Sequence, residues 1–129
     1  MTQPIVFISH SAIKDGQLEA FRAFIRTGAE ALEADKPGTV VFLAYLDEDA
    51  SEVSIVHVFP DADAMNAHLQ GVEERSTAAD AFIETKAYEI YGSPDEPVLQ
   101  RMRAFAEGSG VPLTVRPEHV GGYVRARPT

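Results

Sequence analysis

Four histidines are the side chains of this sequence best suited to give or take a proton near neutral pH. His57 lies within an apolar stretch, so it must either find a hydrogen-bond partner in the core or point into a cavity. His68 falls at the edge of the apolar face of an expected helix, and His10 ends an expected strand. Each of these three is either a catalytic proton-transfer group or a structural histidine that only satisfies hydrogen bonds. His119, beside Pro117, is expected to be exposed.

Other reaction chemistries have little support in the sequence. The chain contains no cysteine, which excludes thiolate catalysis, disulfides and zinc–thiolate sites. Its histidines and carboxylates do not occur at the spacing of a metal site, and no glycine-rich phosphate loop is present. Asp61 and Asp63 precede an expected helix and are interpreted as N-caps. We therefore expect neither a metal nor a cofactor.

The elements that would position these side chains follow a repeated order of apolar run, amphipathic helix and apolar run. Two such β-α-β units within about 90 residues are typical of an α+β fold built on a ferredoxin-like split βαβ sheet. The expected units comprise Pro4–Ser11, Asp15–Ala34 and Thr39–Asp47, followed by Glu52–Phe59, Asp61–Phe82 and Thr85–Tyr91.

A sheet of this kind carries its helices on one face only. The strands at Ile5–Ile8 and Val40–Leu46 are apolar on both faces, so the helix-free face needs a second cover. We expect that cover to be the sheet of a second copy, which makes the protein a homodimer.

A turn-rich segment, Gly92–Pro97, divides the chain into two parts. It predicts a main domain in residues 1–93 and a C-terminal helix-plus-strand extension in residues 94–129. The expected helix of the extension is Val98–Glu107, and two short extended runs follow, at Pro112–Val115 and Val120–Arg125. Because the extension is too small to fold alone, we expect it to pack on the same domain or on the dimer partner.

Charge and hydropathy restrict the partners. The net charge of −9 argues against nucleic acid, because phosphate binding needs a basic face. No apolar run approaches the roughly 20 residues needed to span a bilayer, and the N-terminus lacks the features of a signal peptide. We expect a cytoplasmic protein that binds neither nucleic acid nor a membrane.

One segment carries a family resemblance. The step from the third strand into the second helix, Phe59-Pro-Asp-Ala-Asp-Ala-Met-Asn-Ala-His68-Leu69, resembles that of antibiotic-biosynthesis-monooxygenase-like proteins in the dimeric α+β barrel superfamily. The resemblance extends over residues 4–91, although Phe59 stands where that family often has tryptophan. It implies a dimer of facing sheets, with a pocket in each subunit between sheet and helices.

The resemblance also implies a reaction. Such proteins are cofactor-independent monooxygenases, in which a deprotonated aromatic phenol or quinol passes an electron to O₂. The protein then needs a water-poor apolar pocket and one or two groups that hold or remove a proton. The candidate catalytic residues are His57, His68 and His10, and the candidate pocket-lining residues are Phe7, Phe42, Tyr45, Ile55, Phe59, Met65 and Tyr88.

Two other classes of function stay open at this point. One is a non-catalytic barrel of the same fold that binds a small ligand or takes part in a stress response. The other is an isomerase or decarboxylase acting on a small aromatic compound or lactone. Two polar groups within reach of one position in the pocket would favour chemistry, whereas a wholly apolar or collapsed cavity would favour binding.

Overall fold

The computed structural model describes residues 3–125 of the chain. Residues 1–2 and 126–129, which belong to the predicted main domain and extension, lie outside the described residues. The elements in order are β1 (Ile5–Ile13), α1 (Leu18–Asp35), β2 (Val41–Leu46), β3 (Glu52–Phe59), α2 (Ala62–His68), α3 (Val72–Ala79), β4 (Ile83–Tyr91), α4 (Glu96–Ser109) and β5 (Leu113–Arg116).

The strands form one sheet in the order β2-β3-β1-β4-β5. β1 pairs antiparallel with both β3 and β4, and β2 pairs antiparallel with β3. This arrangement of the first four strands is the split βαβ sheet that the repeated units predict, so that prediction is confirmed. β5 adds a parallel edge strand beside β4. The second extended run expected in the extension, Val120–Arg125, is not a strand, since its residues are exposed and pair with no neighbour in the sheet.

The second helix differs most from its prediction. It is expected over Asp61–Phe82, with a periodicity that weakens after Gly71 and a short helical stretch that resumes around Ser76–Phe82. The structure has two helices there, α2 and α3, which separate around Gly71, and α3 begins earlier than expected. Gly71 has φ +81°, a left-handed conformation that glycine adopts at little cost. The N-cap predicted from Asp61 is confirmed, since its side chain accepts a hydrogen bond from the backbone N–H of Ala64 at 2.9 Å.

The start of α1 was also predicted wrongly. It is expected from Asp15, but the helix begins at Leu18, with Gln17 in the N-cap position. β1 runs two residues beyond the expected Ser11, and the backbone N–H of Gln17 then turns back to the carbonyl of Lys14 at 3.0 Å. The turn at residues 14–17 therefore occupies the positions expected for the first turn of the helix.

The helices pack on the sheet face that carries the alternate residues Phe7, His57 and Ile90. α4 takes part directly, because Val98 and Met102 belong to the same buried cluster as Phe7 and Ile90. Burying an apolar side chain of this size stabilises the fold by about 1.5–3 kcal/mol. α4 thus packs on the helical face of the sheet.

The opposite face of the sheet carries the other alternate residues. Those of the central strands are half-buried, and on the edge strand β2 the side chains of Leu43 and Tyr45 are 47% and 61% exposed. Within residues 3–125 nothing packs over this face as the helices do over the other. None of the helices in that range has both the length and the apolar content to cross a bilayer.

Candidate functional site: a cavity with two buried histidines

A cavity of about 590 Å³ lies between the sheet and its helices. Its floor comes from β1, β3 and β4, and its walls come from α1, α3 and α4. The floor holds Phe7, Ile55 and Tyr88, and apolar residues of α1 and α4 stand above it. The volume is in the range of about 300–1,000 Å³ that small-molecule sites occupy.

His57 stands on the floor of this cavity, in the middle of β3. Its side chain is 6% exposed and stacks on Phe7, with ring centroids 4.8 Å apart. Phe42 meets its ring edge-on at 5.1 Å. Nδ1 lies 3.0 Å from the carbonyl oxygen of Phe7, which can only accept, so Nδ1 carries the proton and donates it.

His68 closes the cavity from the helix side. It is the last residue of α2 and only 4% exposed. Its Nδ1 is 2.7 Å from the hydroxyl of Thr39, and its ring meets that of His57 edge to face at 5.1 Å between centroids. Two imidazoles from different elements therefore share one corner of the cavity.

Both imidazoles are neutral near pH 7. Burial is the main reason that the pKa of His57 falls to about 4, and the positive charge of Arg75 lowers it further. Burial likewise lowers the pKa of His68 to about 3, with help from His57, Arg75 and Lys36. The site thus offers two uncharged imidazoles that can accept or donate hydrogen bonds.

The second ring nitrogen of each histidine borders the cavity. Neither Nε2 forms a hydrogen bond with the described residues. The buried side-chain polar atoms without a partner in that part of the chain are Arg22 Nε and Asn66 Oδ1, and neither histidine is among them. We conclude that both Nε2 atoms reach the open space and are available to a ligand.

Arg75 adds a positive charge to the cavity wall. It lies on α3, and its guanidinium donates to the backbone carbonyls of His68 at 2.5 Å and Gln70 at 2.9 Å. None of the ion pairs among residues 3–125 involves it. Burial lowers its pKa, while Asp35 and Glu74 act in the opposite direction. An anion formed in the cavity would experience this charge.

The predicted lining residues fall into three groups. Phe7, Phe42, Ile55 and Tyr88 line the cavity together with His57 and His68. Phe59 and Met65 are completely buried in the core behind it. Tyr45 does not reach the cavity, because its place in the alternation of β2 puts it on the opposite face of the sheet with Leu43.

His10 also lies on the opposite face. It is one strand position away from the cavity residues Ser9 and Ser11, so its side chain points through the other side of the sheet. Nε2 of His10 lies 2.6 Å from Glu89, and Nδ1 lies 2.8 Å from the Ser54 hydroxyl. Tyr91 donates to Glu89 at 2.6 Å, and these bonds lower the pKa of Glu89. His10 therefore belongs to a polar cluster separate from the cavity.

Two site residues have no signal in the sequence. Thr39 and Arg75 are separated from His68 by 29 and 7 residues. Thr39 lies between α1 and β2, and Arg75 lies on α3, beyond the bend at Gly71. His119 is exposed, as predicted. Across residues 3–125 no group of three His, Asp or Glu side chains is placed to hold a metal ion.

Comparison with known proteins identifies a family. Residues 4–85 match the sequence model for antibiotic biosynthesis monooxygenase. A search of curated proteins gives no match to this sequence.

Solved structures share the fold at low sequence identity. MupZ from Pseudomonas fluorescens has a TM-score of 0.73 at 16% identity, covering 96% of this chain and 97% of its own. SnoaB from Streptomyces nogalater, a cofactor-independent oxygenase, has a TM-score of 0.56 at 21% identity, covering 73% of this chain and 96% of its own. A conserved protein from Methanosarcina mazei has a TM-score of 0.60 at 14% identity, covering 70% and 92%. The MupZ alignment extends over nearly the whole chain, so it includes most of the C-terminal extension.

Proposed function

Because the chain belongs to the antibiotic biosynthesis monooxygenase family, we propose that it oxidises a small aromatic phenol or quinol with O₂, without a cofactor. The observation that supports this most is the pair of neutral histidines, His57 and His68, which place two free nitrogens at one corner of an apolar cavity. Two polar groups within reach of one position favour chemistry over passive binding. SnoaB, which shares the fold, is itself a cofactor-independent oxygenase.

The reaction balances without an added reductant. A phenol with a free ring position para to its hydroxyl reacts with one O₂ to give a quinone and one water. Loss of the phenolic proton comes first, and the phenolate then passes one electron to O₂. Superoxide and the phenoxyl radical combine at the para carbon to give a peroxide anion, which takes back the proton that the phenol lost. The resulting hydroperoxide then loses water, together with the hydrogen of that carbon, to form the second carbonyl.

His57 is the proposed acceptor of the phenolic proton. Since Nδ1 is committed to the Phe7 carbonyl, Nε2 carries the lone pair. A base with a pKa of about 4 is weak against an ordinary phenol, so the transfer needs help. The phenolate itself raises the pKa of an imidazole beside it, and Arg75 stabilises the phenolate by its charge. We therefore expect acidic phenols to react faster than simple ones.

The apolar walls serve the same chemistry. They keep water from the phenolate, which strengthens its attraction to Arg75 and protects the radical pair. The rival function is binding of a small ligand without reaction, for which the same apolar walls would suffice. The Nε2 lone pair of His57, which can take the phenolic proton, favours reaction over binding alone.

The helix-free face supports the homodimer. Leu43 and Tyr45 are exposed there beside Ile8 and half-buried valines of the central strands. We propose that the sheet of a second copy covers this face, as the family resemblance implies. Sedimentation should then give a mass of twice 14.0 kDa. Leu43→Asp should shift the measured mass toward that of the monomer. Arg103→Asp, on the exposed side of α4, is the matched control.

A cytoplasmic location stays a prediction. We also propose that the protein has no nucleic-acid partner. The charge of −9 is the basis for that proposal.

Oxygen uptake tests the proposed function. Purified protein, treated with a chelator, should consume O₂ on mixing with 1-naphthol faster than the protein-free blank. His57→Asn keeps a donor for the Phe7 carbonyl but lacks the second nitrogen, so the rate should fall about 10²–10⁴-fold. His119→Asn, at an exposed position, should leave the rate unchanged. No uptake across a broad panel of phenols would move the assignment to ligand binding.

A further inference from the structure

We infer that the cavity recognises an aromatic edge carrying a hydroxyl next to a second oxygen, and that Thr39 is the positioning residue that makes this selection. The inference deepens the proposed function, and it rests on a ligand occupying the His57–His68 corner. It assigns opposite hydrogen-bonding roles to two residues of the same type. His57 accepts from the ligand, and His68 donates to it.

The role of His57 follows from its backbone contact. The Phe7 carbonyl, 3.0 Å from Nδ1, has no proton to give, so the imidazole must place its single proton on Nδ1. Nε2 is then an acceptor that can take a hydrogen bond from a ligand hydroxyl.

The role of His68 follows from Thr39. His68 Nδ1, at 2.7 Å, is the acceptor that residues 3–125 offer to the half-buried Thr39 hydroxyl, and we assign the proton of this hydrogen bond to Thr39. With Thr39 donating to Nδ1, the proton of the neutral imidazole sits on Nε2. His68 Nε2 is therefore a donor that points its proton at a ligand oxygen.

The turn that carries Thr39 is held firmly against α2. Lys36 Nζ donates to the Ala67 carbonyl at 2.9 Å, and the turn passes α2 at Gly38. A Cβ on Gly38 would lie 3.0 Å from the Cβ of Ala64, so only glycine lets the turn come this close without a shift. Thr39 thus reaches His68 from a fixed position.

A ligand that satisfies both nitrogens needs one hydroxyl and one acceptor oxygen side by side. An ether, a carbonyl or a second hydroxyl can supply the acceptor. A ligand with two acceptors would leave the lone pair of His57 facing another lone pair. In a corner this buried, such a mismatch is costly because water cannot relieve it.

The tautomers can be measured without any reaction. Nitrogen NMR of histidine-labelled protein at neutral pH should show His57 protonated at Nδ1 and His68 protonated at Nε2. Thr39→Val should let His68 populate both tautomers, while Thr39→Ser should restore the wild-type pattern. His68 protonated at Nδ1 in the wild type would overturn the inference, whether or not the protein has oxygenase activity.

Binding under argon tests the ligand class separately from oxidation. The probes are 2-methoxy-1-naphthol, which has both functions, 2-methyl-1-naphthol, which lacks the acceptor, and 1,2-dimethoxynaphthalene, which lacks the donor. We expect the first to bind about 3- to 10-fold more tightly than the second, and at least roughly tenfold more tightly than the third. Thr39→Val should reduce the difference in affinity between 2-methoxy-1-naphthol and 2-methyl-1-naphthol, and Thr39→Ser should preserve it. Equal binding of all three probes to the wild type would overturn the inference, even if oxygen uptake were observed.

Discussion

The rings of His57 and His68 meet edge to face with centroids 5.1 Å apart, one from the middle of a strand and one from the end of a helix. At this distance protonation of one imidazole opposes protonation of the other, since two like charges would share a buried corner. The pair is stable as two neutral rings. Its acid sensitivity, its hydrogen-bonding capacity and its proposed chemistry all depend on that state.

Acid should destabilise the fold through this pair. The pKa of His57 is about 4 in the folded protein and 6.5 ordinarily, so the unfolded chain binds more protons between these values. Stability is therefore complete above pH 6.5 and is lost as the pH falls toward 4, by about 3 kcal/mol from His57 alone. Urea titrations at a series of pH values measure the loss.

The matched variants separate His57 from the other groups that titrate in acid. His57→Asn should flatten the dependence between pH 6.5 and 4, whereas His119→Asn, at an exposed position, should not change it. Equal slopes in the wild type and His57→Asn would mean that His57 is not the group responsible.

The fall of kcat/KM in acid should occur at a pH well below the ordinary pKa of a histidine. Because His57 must be unprotonated to accept the phenolic proton, kcat/KM should stay level down to about pH 5 and decline near its pKa of about 4. A decline centred near 6.5 would assign the base to an exposed histidine instead.

Gly28 offers a way to close the cavity without touching a polar group. It lies within α1 and lines the cavity. No atom of a neighbouring residue lies within 4 Å of the position that a Cβ would take there. Gly28→Ala should stabilise the protein by up to about 1 kcal/mol through helix propensity and leave binding intact. Gly28→Phe should fill the cavity and abolish binding of 1-naphthol. Undiminished binding by a folded Gly28→Phe protein would place the ligand elsewhere.

Met102 should link the extension to the stability of the whole chain. Its side chain is 2% exposed in α4 and packs in the same cluster as Phe7 and Ile90. Met102→Ala should lower the free energy of unfolding by about 2–5 kcal/mol. Arg103→Ala, one residue further along at an exposed position, should change it by less than about 0.5 kcal/mol. Comparable urea midpoints for the two variants would show that α4 contributes little.

The alternation of side chains made much of this site predictable. β3 has regular spacing, so the sequence alone places His57, Ile55 and Phe59 on one face, and the structure agrees. Alternation along β1 likewise places His10 on the face of Val6 and Ile8. Alternation does not predict which of the two faces the helices cover. His10 and Tyr45 lie on the uncovered face.

The meeting of the two histidines was beyond sequence reasoning for a different reason. It depends on where α2 ends and on how closely the Lys36–Thr39 turn approaches it, which Gly38 permits. Arg75 joins the site only because the chain bends at Gly71 between α2 and α3. Such close approaches depend on packing in three dimensions, and the periodicity of apolar residues along the chain does not predict them.

The most direct test of the proposed function is the origin of the oxygen in the product. The chelator-treated protein is mixed with 1-naphthol under isotopically labelled O₂, and the quinone is analysed by mass spectrometry before it exchanges with water. Monooxygenation at the His57–His68 corner predicts one labelled oxygen in the quinone and one in water, with the yield reduced about 10²–10⁴-fold in His57→Asn. A quinone without label, or an equal yield from His57→Asn, would contradict it.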